Sequence, residues 1–252
     1  MPEELRRSTK IISLAVVLLY GTLLYLLANS FFAVWSQSYS SVSFTDYAHD
    51  AVVNFTNFLS QHRWARSFIL GFDSFLIDVC AAGVIVLWMV YGVSKSLLFS
   101  IVIFYSIRTL GMSFCQWPLP KFIVFEDPGF PSLLVSYAMT NDLYFSGHTG
   151  IMTILVLETW LYYRSPAFFA LALFALLYTV FTLAVLQAHF INDILIGFVT
   201  AVWIQQLIYR YRYSLTIHVL RIYTWAFKTL KGRVIIVEDL TWYEDDQKRE
   251  LF

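Results

Sequence analysis

The 252 residues carry 17 basic and 17 acidic side chains, and 59% of positions are hydrophobic, 19% aromatic and only 13% charged, with a mean hydropathy of +0.65. Soluble domains hold about a quarter charged residues, so an ordinary water-soluble domain is excluded. Several apolar runs reach the ~20 residues that cross a bilayer, and they predict an all-α polytopic membrane protein. Two cysteines, Cys80 and Cys115, give neither a disulfide framework nor a metal spacing. With no CxxC, Walker, GxGxxG or HExxH pattern, nucleotide, nucleic-acid and zinc chemistry have no support.

A short basic start (Arg6, Arg7, Lys10) precedes an apolar run from Ile11 to about Val34. That run is too long for a signal-peptide core and lacks a small-residue cleavage site, which predicts a retained first helix. Residues 35–66 mix polar and aromatic side chains, with Phe44, Tyr47, Ala51, Phe55 and Phe58 at helical spacing, as in an amphipathic helix on the bilayer surface. Further spans are expected at about 67–92, 95–113, 147–163, 166–187 and 190–209, making six in a single membrane domain over 1–252. The stretch 114–146 is a loop in which Pro118, Pro120, Pro128 and Pro131 break any helix. Residues 210–252 form a basic, aromatic tail. Arg212, Ile217, Arg221, Trp225 and Lys228 suit a surface helix on an anionic leaflet, or equally a helix end followed by a solvated charge run.

With six spans, both termini and the turns near Lys95 and Arg164 share one side. That side collects most of the Lys and Arg, while the other keeps Arg63, Arg66, Lys121 and the borderline Arg108. The positive-inside rule then puts both termini in the cytosol and the loop 114–146 on the lumenal or extracellular face. Asn54-Phe55-Thr56 on that face is a glycosylation sequon, read here as a chance match.

Two histidines stand where apolar runs begin on that outer face: His148, in Asp142-Leu-Tyr-Phe-Ser146-Gly147-His148-Thr149, and His189, in His189-Phe-Ile-Asn-Asp193. A four-residue spacing stacks His189 and Asp193 on one helix face, where a carboxylate can hold one ring nitrogen and leave the other free to attack. Two helix N-termini facing one gap offer unpaired N–H groups and positive dipole ends, which suit a phosphate. Arg108, about five residues from the end of its span, either snorkels or clamps that phosphate. Asp73 lies at similar depth, within possible reach of Arg108, and is not assigned a role. Asp78 and Glu158 lie deeper and are not assigned a role.

Ile107-Arg108-Thr-Leu-Gly-Met-Ser-Phe-Cys-Gln-Trp-Pro118-Leu-Pro120, followed by the two histidine stretches in the same order, resembles the sphingomyelin synthase family. The likeness runs over about residues 100–205 and is strongest in Asp142-x-x-Phe-Ser-Gly-His-Thr149; His189-Phe-Ile stands in place of that family's His-Tyr-Thr. The family includes sphingomyelin and ceramide-phosphoethanolamine synthases and plant cholinephosphotransferases, and is related to the six-span type 2 phosphatidic acid phosphatases. The resemblance implies a lipid-phosphatase-like bundle that transfers a phospho-headgroup. His189, oriented by Asp193, would form a phosphohistidine. His148 would act as acid and then base, with Asp142 tuning it. Arg108, together with Ser146, Gly147 and Thr149 at the helix start, would hold the phosphoryl oxygens. No metal or other cofactor is required by these roles. The implied partners are a phospholipid donor and a lipid alcohol acceptor, ceramide or diacylglycerol, in the endoplasmic reticulum, Golgi or plasma membrane, and a homo-oligomer is compatible with this reading.

The related phosphatases carry Ser-Arg-x-x-x-Gly-x-His-x-x-x-Asp. Aligned on His189, the arginine position is Leu183, the serine Thr182 and the glycine Gln187. One cation fewer suits a singly charged phosphodiester better than a dianionic monoester. Phosphomonoester hydrolysis stays as the alternative, and a non-catalytic lipid-binding or transport protein on the same fold as a second. Headgroup selection falls to Trp117, Phe125, Glu126, Asp127 and Tyr137, through an aromatic cage or an acidic contact.

Overall fold

The computed structural model describes residues 3–35, 45–92, 95–114, 120, 123–124, 126–130, 132, 135, 145–163 and 165–231. Seven α-helices follow in order: α1 (Glu3–Trp35), α2 (Tyr47–Gln61), α3 (Arg63–Tyr91), α4 (Ser96–Phe114), α5 (Gly147–Glu158), α6 (Pro166–Val185) and α7 (Ile191–Lys231). A π-helical turn, Thr159–Tyr163, extends α5, and no strand occurs among the described residues. Five segments are long and apolar enough to cross a membrane: Thr9–Leu27, Arg63–Tyr91, Ser96–Phe114, Pro166–Val185 and Ile191–Arg212. The protein is therefore an integral membrane helical bundle. The sixth expected crossing is α5 with its π turn. It falls short of an 18-residue helix, yet its direction alternates with those of α4 and α6.

Local chemistry sets the helix starts. Asp46 caps α2 by accepting the Ala48 N–H at 2.9 Å, Ser146 caps α5 through the Thr149 N–H, and Ser165 caps α6 just before Pro166. Each satisfies an amide that the helix leaves unpaired.

Helix α5 is the centre of the bundle, packed against α3, α4, α6 and α7. Its Met152, Ile154, Leu155 and Val156 are buried with Ala172 and Ala175 of α6 and Ala201 and Ile204 of α7. Alanines at those crossings let the backbones approach, which is how helices gain packing energy when lipid replaces water. Buried polar groups pair within the bundle, as the apolar surroundings demand. At the end of α5 remote from His148, Glu158 accepts from Ser96 Oγ (3.2 Å) and Gln205 Nε2 (2.7 Å), and Ser100 Oγ donates to Gln205 Oε1 (2.6 Å). At that same end Lys10 Nζ donates to the carbonyls of Trp88 and Met89, and Lys95 Nζ to Ser13 Oγ.

Two expectations need correction. Asp73 does not pair with Arg108; it accepts from Thr179 Oγ1 of α6 at 2.7 Å, which satisfies the buried carboxyl within α3 and α6. The last span, Ile191–Arg212, ends close to where it is expected, but no separate tail helix follows it. Helix α7 runs on to Lys231, because no Gly or Pro interrupts the chain between Gly197 and Gly232, and Arg212 folds back onto Tyr209, its guanidinium 4.0 Å from the ring centroid. Residues 232–252 lie outside the described residues. Described residues of the stretch after α4 also pack along α3. Ser132 Oγ donates to Asp78 Oδ2 at 3.1 Å, midway along α3, and Val135 is buried in the core.

The aromatic stripe of α2 behaves as its spacing predicts. Tyr47, Phe55 and Phe58 are exposed, whereas His49, Thr56 and Leu59 are buried against the chain joining α6 to α7. Thr56 of the sequon spends its hydroxyl on the Val185 carbonyl (2.7 Å).

Candidate active site

The first turn of α5 and the start of α7 lie side by side. Ser146 N–H donates to the Asp193 carbonyl at 3.2 Å, joining the two motif backbones directly. The close approach needs a glycine. A Cβ on Gly197 would stand 2.5 Å from the Ser146 carbonyl oxygen, closer than real contacts allow. On its other flank α5 packs Gly150 onto the buried Phe104 of α4, where a Cβ would strike the ring.

This packing brings the imidazoles of His148 and His189 to 6.4 Å between centroids, inclined at 63°. The rings are close enough to act on opposite sides of one phosphoryl group. His189 is 5% exposed and Asp193 fully buried, while His148 is half-buried and so lies nearer the opening. His189 Nδ1 faces Asp193 Oδ2 at 3.6 Å, which leaves Nε2 on the far edge of the ring.

The way Asp193 reaches His189 differs from the expected helical stacking. His189 precedes α7, which begins at Ile191. Asp193 instead folds back over the helix start: its Oδ2 accepts the Phe190 N–H at 3.1 Å, while its own N–H donates to the Phe190 carbonyl at 3.0 Å. A carboxylate in the first turn that closes back on the capping residue is the acidic half of a capping box. The same carboxylate thus ends the helix and faces the imidazole.

Arg108 reaches the site from α4. Its Nε donates to the Phe145 carbonyl at 3.0 Å, and its guanidinium lies against Gly147, where a Cβ would stand 3.0 Å from Nε. The Arg108 guanidinium thus lies at the N-terminal end of α5. Ser146 and Thr149 are fully buried, and their hydroxyls contact one another at 3.0 Å. Asp142, Trp117, Phe125 and Tyr137 lie outside the described residues. Glu126 pairs with Arg66 at the start of α3, and Asp127 Oδ1 accepts the Gly129 N–H within a turn. Leu183 is buried with Ala188 and Ile194, and the Thr182 hydroxyl is buried with no partner among the described residues.

Sequence reasoning missed two residues on α2 and its cap. His49 Nε2 lies 2.9 Å from the His189 carbonyl, and since a carbonyl only accepts, Nε2 carries the proton. Asp46 Oδ2 accepts the Ile191 N–H at 2.8 Å. The only signal was a histidine three residues after a capping aspartate, and nothing in it points to position 189.

A family model described as the PAP2 superfamily matches residues 93–217, which takes in α4, α5, α6, both histidines and most of α7. No curated protein and no solved structure matches the chain. The match supports an enzyme of the lipid phosphatase or phosphotransferase type.

Proposed function

We propose, for a chain related to the type 2 phosphatidic acid phosphatase superfamily, that it transfers a phospho-headgroup from a glycerophospholipid to a lipid alcohol. The observation that carries this reading is the 6.4 Å approach of His148 to His189 with Asp193 behind His189. His189 Nε2 attacks phosphorus, and the bond from phosphorus to the diacylglycerol oxygen breaks. His148, as imidazolium, gives its proton to that oxygen. The hydroxyl of ceramide or diacylglycerol then attacks the phosphohistidine, His148 takes the hydroxyl proton, and the phosphorus–nitrogen bond breaks. Asp193 holds the His189 ring and stabilises its positive charge in the intermediate. Arg108 and the first-turn amides of α5, shaped by Ser146, Gly147 and Thr149, stabilise the phosphoryl oxygens, and Asp142 tunes His148.

Leu183 supports a diester substrate. An apolar side chain buried at that position supplies no second cation for a dianion. Phosphomonoester hydrolysis, the alternative reading, needs that charge compensated from elsewhere. On the orientation given by the basic residues, the site opens to the lumenal or extracellular side.

The test is purified protein in detergent with labelled phosphatidylcholine, phosphatidylethanolamine and phosphatidate, with ceramide or diacylglycerol as acceptor. Headgroup transfer from a diester that disappears in His189→Ala and His148→Ala supports the proposal. Turnover of phosphatidate alone selects the phosphatase reading, and unchanged turnover in both variants removes the two-histidine mechanism.

A further inference from the structure

The turn Val185–Ile191, which carries His189, is held from outside as well as by the two helices it joins. Its Gln187 adopts φ 50, the left-handed conformation that commonly ends a helix, with Ala188 N–H donating to the Leu183 carbonyl and Gln187 N–H to the Ala184 carbonyl. Thr56 Oγ1 donates to the Val185 carbonyl (2.7 Å), Val124 N–H to the Leu186 carbonyl (3.0 Å) and His49 Nε2–H to the His189 carbonyl (2.9 Å), while Asp46 Oδ2 accepts the Ile191 N–H (2.8 Å). Three of these four partners stand on α2 or its cap, at positions 46, 49 and 56, a spacing that lines one helix face. The His49 ring also stacks on Phe190 at 5.5 Å between centroids. Asp46 divides its carboxylate between two helix starts, with Oδ1 on the Ala48 N–H of α2 and Oδ2 on the Ile191 N–H of α7.

We propose that His49 and Asp46 are positioning residues for the His189 nucleophile, so that the surface helix α2 sets where the His189 ring stands relative to His148 and Asp193. This rests on the reading of His189 as nucleophile. Neither residue touches the reacting atoms; His49 acts through the His189 carbonyl and Asp46 through the Ile191 N–H that follows it. Loss of the His49 N–H frees the His189 carbonyl and lets the ring move, while Arg108 keeps its separate anchor on the Phe145 carbonyl.

The test compares the full-length wild type with His189→Ala, His49→Phe, His49→Gln and Asp46→Asn, using labelled phosphatidylcholine in detergent. His49→Phe keeps the stack on Phe190 but has no N–H; His49→Gln keeps a donor. The expected result is a fall in kcat of ~10–100-fold for His49→Phe, as for a misplaced nucleophile, with KM changed less than about threefold. His49→Gln should regain most of the lost kcat. Wild-type kcat in a folded His49→Phe overturns the proposal, as does equal loss in His49→Phe and His49→Gln. Should His49→Phe not fold, Asp46→Asn decides in the same way, by a fall in kcat at retained KM or by none. An inactive wild type, or an active His189→Ala, fails the underlying reading instead.

Discussion

Gly197→Ala is the most incisive perturbation of the site, because one methyl group would act on the contact that brings the two histidines together. The added Cβ would stand 2.5 Å from the Ser146 carbonyl oxygen, whereas ordinary van der Waals contact begins at 3.4 Å. The atom met is backbone, so relief requires α7 and the start of α5 to separate by up to about 0.9 Å. Ser146 caps α5 and donates to the Asp193 carbonyl, and His148 stands two residues further on, so the separation opens the His148–His189 gap. Overpacking of this kind costs about 1–3 kcal/mol, offset in part by the gain of up to ~1 kcal/mol when alanine replaces glycine in a helix. Net destabilisation is therefore about 0–2 kcal/mol, and the bundle should survive it. Activity is far more sensitive, since a misplacement near 1 Å can reduce turnover by ~100-fold. The assay is headgroup transfer in detergent beside a thermal unfolding scan, with Gly21→Ala as control, since nothing lies within 4 Å of its Cβ. A folded Gly197→Ala protein with wild-type kcat would refute the claim that this contact sets the histidine spacing.

Three further outcomes are expected. Asp193→Asn should lower kcat by ~10²–10⁴, since an amide cannot stabilise the developing imidazolium, and the check is whether the loss falls in kcat rather than KM. Arg108→Lys, whose point charge cannot reproduce the guanidinium fork at Gly147, should lose ~10–100-fold in kcat/KM, and full retention would remove Arg108 from the phosphoryl grip. A reporter fused to either end of the chain should be cytosolic in protease-protection experiments, whereas protection of the reporter inside sealed vesicles would reverse the assigned face of the site.

The helices were legible because their information is local. Apolar length marked the spans Arg63–Tyr91, Ser96–Phe114, Pro166–Val185 and Ile191–Arg212 to within a few residues, and the exposed stripe of α2 followed from its spacing. The capping serines at 146 and 165 and the acid at 193 are short-range signals as well. Other features were not legible. The His189–Asp193 contact looked like a helical i,i+4 pair, yet it arises from a carboxylate closing back over a helix start, a choice that spacing alone does not make. Asp73 and Arg108 seemed matched by depth, but depth does not say which way a side chain points, and Thr179 from α6 took the carboxylate. The π turn after Glu158 and the descent of Ser132 to Asp78 left no periodic trace.

The sequence by itself determined that this chain is a membrane helical bundle with two histidine motifs at one end, because bilayer length, hydrophobic period and motif spacing are properties of neighbouring residues. Only the tertiary structure decided that Gly197 and Gly147 admit the close contacts of Ser146 and Arg108, and that His49 and Asp46 reach across 140 or more residues to the His189 turn. Such contacts depend on how whole helices pack, and packing distances between distant segments are written in no single stretch of the chain.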